Sequence, residues 1–143
     1  MNDLQIAKNR LYERELTLAI VKNGKVLFET RSHRISCFLS AIEQFGDELE
    51  GASLADRVAG KAIALLCVYV RIKGVYAEIL STKAKTVFER NGIPHEWREL
   101  VGNVLDLNKS GVCPFEKAAE PIADPREAYR IFKALQESLK ACR

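Results

Sequence analysis

Residues 75–101 read VYAEILSTKAKTVFERNGIPHEWRELV, and this stretch decides the fold. "VYAEIL" is a short β-branched and aromatic run that predicts a strand. "STKAKTVFERNG" follows as a helix that Ser81 or Thr82 can cap and Asn91-Gly92 can end, and "HEWRELV" predicts a second strand. Two strands joined through a helix cannot form a hairpin. They are the crossover unit of a parallel sheet, so the chain is of the α/β class.

Upstream, "ELTLAIVKNGKVLFET" predicts two strands around Asn23-Gly24, a dipeptide that tolerates the positive φ angles of a tight hairpin turn. Leu4, Ala7 and Leu11 are spaced for a short helix before it, with Asp3 as its cap. Phe38, Ala41, Ile42 and Phe45 predict a helix after it that stops at Gly46. Ser53 and Asp56 then stand where a capping pair would start a long helix, running to about Ile72 and closed by Gly74. Between Val58 and Val70 its only charge is Lys61, which predicts a helix buried between layers. Gly60 lies within it, at a cost of about 1 kcal/mol relative to Ala, which suggests a close approach by a neighbouring element.

Downstream, Pro114 suits a first helical position, and Phe115, Ala118, Ala119 and Ile122 follow at helical spacing. Asp124, Pro125 and Glu127 form a second start signal, after which Ala128, Ile131, Phe132, Leu135, Leu139 and Cys142 continue one apolar face. No repeat, linker or low-complexity segment interrupts the pattern. Residues 1–143 are expected to form a single domain.

Composition excludes more than it assigns. The 143 residues carry 22 Lys and Arg against 19 Asp and Glu, a net charge of +3 with no block of like charges, so nothing marks a nucleic-acid footprint. Trp97, Tyr12, Tyr69, Tyr76 and Tyr129 sit in separate elements and make no stacking platform in a basic groove. The longest apolar run, Ala62 to Val70, is far short of the roughly 20 residues that span a bilayer, and the charged N-terminus has no signal-peptide core. A cytoplasmic protein is expected. Four cysteines lack any C-x-x-C pairing, so free thiols are the default. Cys37, Cys67 and Cys142 fall in apolar helical patterns and are expected to pack, whereas Cys113 has a polar, loop-like setting.

The order of elements resembles the cytidine deaminase-like fold. "DRVAGKAIALL", "VYAEILSTKAK" and "GVCPFE" together resemble a family of small bacterial and archaeal proteins of unknown function. The resemblance spans roughly residues 16–135 and implies a three-layer α/β/α sandwich with a mixed sheet. It carries no established activity. Deaminases of this fold hold zinc with H-x-E or C-x-E at one helix start and P-C-x-x-C at the next. Here those starts read "SLADRVAGKAIA" and "STKAKTVF", with neither His nor Cys, and His33 and His95 are followed two residues on by Ile35 and Trp97. Zinc deamination is rejected, and no metal or cofactor is expected.

In that fold the two helix starts face each other, which implies a cavity bringing Asp56, Gly60 and Lys61 near Ser81 and Thr82. Helix N-termini favour anions, so the leading expectation is a non-catalytic domain that binds a small anionic or nucleotide-like ligand there. Lys61 either snorkels to water or pairs with Asp56 or Glu78, contacts the ligand, or acts as a neutral amine. Glu78, on a strand, is either exposed at its end or needs a partner, for which Lys61 is preferred. Cys113, at the start of the Pro114 helix, is either a nucleophilic thiol with its pKa lowered by the helix dipole or a packing residue, with Glu116 nearby as a capping carboxylate. Two alternatives stay open: a thiol-dependent enzyme or redox protein using Cys113, and a structural subunit of a homodimer or larger homo-oligomer.

Overall fold

In the computed structural model, which describes residues 1–32, 35–102 and 114–141, the hairpin forms where Asn23-Gly24 puts it. Strands β1 (Leu18–Lys22) and β2 (Lys25–Thr30) pair antiparallel across a turn whose two residues have φ of 52° and 77°. The preceding helix α1 (Asp3–Glu13) is capped by Asn2, whose Oδ1 accepts the Gln5 N–H, and not by Asp3. The Asp3 carboxylate instead accepts the N–H groups of Asn23 and Gly24, both at 2.9 Å, and pins α1 to the turn. Helix α2 (Ile35–Phe45) follows and ends at Gly46, which takes the left-handed φ of 51° that closes a helix.

The long helix expected from Ser53 to Ile72 is two elements. Strand β3 (Ser53–Ala59) runs up to Gly60, and helix α3 (Lys61–Tyr69) begins after it. Gly60 is therefore the N-cap of α3, not an interior residue, and Asp56 caps nothing. At the other end Arg71 adopts φ of 61° and the Ile72 N–H returns to the Cys67 carbonyl, so the helix closes there. Gly74 opens β4 (Gly74–Ser81), which is followed by α4 (Thr82–Arg90) and β5 (His95–Val101) as residues 75–101 require.

The sheet has the order β2-β1-β3-β4-β5, with β1 antiparallel to β2 and β3, and β3, β4 and β5 parallel. Both of its faces are covered. Leu18, Ile20, Leu54, Val75 and Ala77 pack under α2, α3, α4, α5 (Pro114–Ala119) and α6 (Pro125–Ala141). Ala19, Val21, Ala55 and Tyr76 on the opposite face meet Ala7 and Leu11 of α1. Helix, mixed sheet and helices make a three-layer α/β sandwich. Burial on both faces explains β3: an inner strand need not alternate apolar and polar residues. The α6 start signal is met as read, with the Asp124 carboxylate accepting the Arg126 N–H at 2.9 Å. Among the described residues, no helix is long and apolar enough to cross a membrane.

Candidate functional site

The carboxyl ends of β3 and β4 deliver the starts of α3 and α4, which pack against each other. At α3 the cap residue has no side chain, so the first N–H groups need an acceptor from elsewhere. Glu116 of α5 supplies it: its carboxylate accepts the Ala62 N–H at 2.8 Å and the Lys61 N–H at 3.2 Å. A Cβ on residue 60 would lie 2.5 Å from that carboxyl, so glycine is the residue that admits it. Glu116, expected to cap its own helix, caps a different one.

Two lysines flank this carboxylate. Lys61 Nζ donates to the Glu120 carbonyl at 2.7 Å, and Lys83 of α4 pairs with the Glu120 carboxylate at 3.1 Å. Burial pushes the Lys61 pKa down, the Lys83 charge adds to this, and Glu116 and Glu120 oppose it. Burial likewise raises Glu116 above the usual carboxylate range, outweighing the hydrogen bonds from Ala62 and Lys61 and the charges of Lys83 and Lys61. At α4, Ser81 is the cap, its Oγ accepting the Ala84 N–H at 3.0 Å, while Thr82 donates to the Gly102 carbonyl at 3.1 Å.

The structure thus brings Gly60, Lys61, Ser81 and Thr82 to the two adjacent helix starts, and takes Glu78 and Asp56 elsewhere. Glu78 lies on the α1 side of the sheet, between Arg57 at 3.4 Å and Arg98 at 3.3 Å, so its partner is not Lys61. Asp56 is buried in the middle of β3 and accepts the Val58 N–H at 3.3 Å. Burial pushes its pKa up to about 7, against the hydrogen bonds from Val58 and Arg57. Cys67 of α3 is also buried, and burial followed by the Asp56 charge pushes its thiol well above the ordinary range. Cys37 is only partly buried, and Cys113, Cys142 and His33 lie outside the described residues.

Lys83, Glu120 and Arg57 escaped the sequence reading. An Asp-Arg pair on a strand points to opposite faces, so each must find its own partner, and that signal was present in Asp56-Arg57. Nothing local marks Glu120. The zinc of deaminases tests poorly against these positions: Gly60, Lys61 and Ala62 at one start and Ser81, Thr82 and Lys83 at the other offer neither imidazole nor thiolate. Among the described residues, no group of three or more His, Cys, Asp and Glu is placed to hold a metal.

Comparison with known proteins adds a family and a fold. The family model described as TM1506, domain of unknown function (DUF1893), matches residues 6–135. The crystal structure of a DUF1893 family protein (TM1506) from Thermotoga maritima is similar with a TM-score of 0.82 and 26% identity, over 93% of this chain and 89% of that one. A dCMP deaminase from the cyanophage S-TIM5 is similar in fold alone, with a TM-score of 0.50 and 15% identity over 66% of this chain and 93% of that one. No curated protein matches the sequence significantly.

Proposed function

The chain belongs to the TM1506 family, a domain of unknown function (DUF1893), and from that premise we propose a non-catalytic, zinc-free binding domain that takes a small anionic, nucleotide-like ligand at the start of α3. The supporting observation is that this helix start already holds a carboxylate through two backbone N–H groups, between Lys61 and Lys83. N–H groups at a helix start, reinforced by two ammonium groups, are chemistry for a phosphate or a carboxylate. Ser81 and Thr82 border the same place from α4, where Ser81 satisfies its own helix and leaves the anion to α3.

Thermal-shift titration of the full chain with inorganic phosphate, sulfate and nucleoside monophosphates tests this. Binding to the folded state alone raises stability by about 2.7 kcal/mol at a hundred times Kd, and several degrees of Tm follow. Lys61→Met is expected to abolish the response. If no phosphate compound raises Tm, or if Lys61→Met is more stable and responds as before, the reading fails.

A further inference from the structure

We propose that α5 is an autoinhibitory strap, with Glu116 occupying in the free chain the position that an external anion must take. The inference rests on the anion-binding reading above and identifies what regulates that site. Three observations carry it. The Glu116 carboxylate is bonded to both Lys61 N–H and Ala62 N–H, so neither is open to a ligand while the strap is closed. The missing Cβ of Gly60 leaves room for that carboxyl, which a Cβ there would meet at 2.5 Å. The remaining charged contacts run to the residue just beyond α5: Lys61 Nζ and Lys83 Nζ both end on Glu120, one on its carbonyl and one on its carboxylate. An anion that displaced Glu116 would meet two lysines already in position.

An intramolecular occupant lowers apparent affinity by the fraction of molecules in which the site is free. A strap closed nine-tenths of the time or more weakens an external anion about tenfold or more. Displacement is also easier in acid. Burial makes Glu116 readier to take a proton than an ordinary carboxylate, and the neutral acid grips two N–H groups less strongly than the anion does. The charged groups facing it are Lys61 from α3, Lys83 from α4 and Glu120 from beyond α5, with Arg90 of α4 acting on Lys61.

The test is titration of the full chain with sulfate, whose charge does not change between pH 4.5 and 8, monitored by calorimetry. Glu116→Gln is expected to bind sulfate about tenfold or more tightly than wild type at pH 7.5. Wild type is expected to tighten as pH falls, and Glu116→Gln is expected to show little change. Glu116→Asp, one methylene too short to reach, repeats the comparison with the charge retained. Hydrogen exchange at the Lys61 and Ala62 amides is expected to quicken in both variants. Equal sulfate affinity in wild type and both variants overturns the strap and leaves the binding reading intact. No sulfate binding by any of the three overturns the binding reading, and the autoinhibition with it.

Discussion

Gly60 and Glu116 share one space: a Cβ on the glycine would sit 2.5 Å from the glutamate's carboxyl carbon and from one of its oxygens. The backbone at residue 60, φ of −101° and ψ of −174°, is open to any residue, so the glycine is there for the approach and not for its conformation. Gly60→Ala is expected to destabilise the chain by about 2 kcal/mol by forcing Glu116 off the helix start. In a Glu116→Ala background the same change is expected to cost less than about 0.5 kcal/mol. Urea unfolding of the two single variants and the double variant reads the difference, and additive effects would show that the two residues do not compete.

Asp56 gives the fold a pH dependence with a definite sign. Its folded pKa is raised, so the folded state holds the proton more tightly than the unfolded chain. Stability is fully present below about pH 4, falls as pH climbs through about 7, and is level above that. The span is on the order of 4 kcal/mol. Asp56→Asn keeps an acceptor for the Val58 N–H and removes the charge, so it is expected to match wild type near pH 4.5 and exceed it by a few kcal/mol at pH 8.5. Urea midpoints across that range check it, and an unchanged slope in the variant would assign the dependence to another group.

Which hydroxyl caps α4 was open in the sequence, because Ser81 and Thr82 stand side by side. The structure assigns it to Ser81, buried and bonded to the Ala84 N–H, while Thr82 donates to the Gly102 carbonyl at the surface. Ser81→Ala is expected to cost about 1–2 kcal/mol and Thr82→Ala about half of that or less. The reverse order in thermal or urea unfolding would contradict the assignment.

Where local chemistry decides an element, the sequence was legible. Asn23-Gly24 fixes the hairpin, Gly46 ends α2, and residues 75–101 give the parallel half of the sheet. It failed where tertiary burial overrides local pattern. Ser53 to Ala59 contains Ala, Asp and Arg, weak strand formers without alternation, and it becomes a strand because it lies inside the sheet with both faces covered. The helix end was misplaced for a related reason: Arg71, not a glycine, takes the left-handed position, so Gly74 was mistaken for the stop. Gly60 was the missed warning, since a glycine inside a helix asks for an explanation that a helix boundary supplies.

The candidate site divides along the same line. Ser81 and Thr82 were legible as a helix start, whereas Lys61, read as the interior of a helix begun at Ser53, stands at a start because β3 ends at Ala59. Glu78 was not, because its strand parity turns it toward α1, where Arg57 waits. No one-dimensional pattern reveals that Glu116 would cap a helix so far back in the chain. Such a contact is a property of the packed tail.

Arg57 ties α1 to β3, beside Asp3 at the hairpin turn and Arg10 on Glu29 of β2, and its loss is expected to be the costliest among the exposed or half-buried charges. Its guanidinium donates to the Leu16 carbonyl at 2.8 Å and the Leu11 carbonyl at 3.0 Å, pairs with Glu78, and lies 4.7 Å from the centre of the Tyr12 ring. Removing it takes a donor from the Leu16 carbonyl and one of two from the Leu11 carbonyl, which keeps the Leu16 N–H at 2.9 Å, and among the described residues leaves Glu78 with Arg98. Arg57→Ala is expected to destabilise by about 2–3 kcal/mol, since unmade hydrogen bonds cost more than made ones contribute. Arg98, exposed and paired with Glu78, is expected to cost less than about 1 kcal/mol as Arg98→Ala. Because Arg57 acts through α1, Arg57→Ala is also expected to speed hydrogen exchange in residues 3–13 while α3 and α4 stay protected. Uniform loss of protection across the sheet and all helices would show instead that α1 is not a separable element.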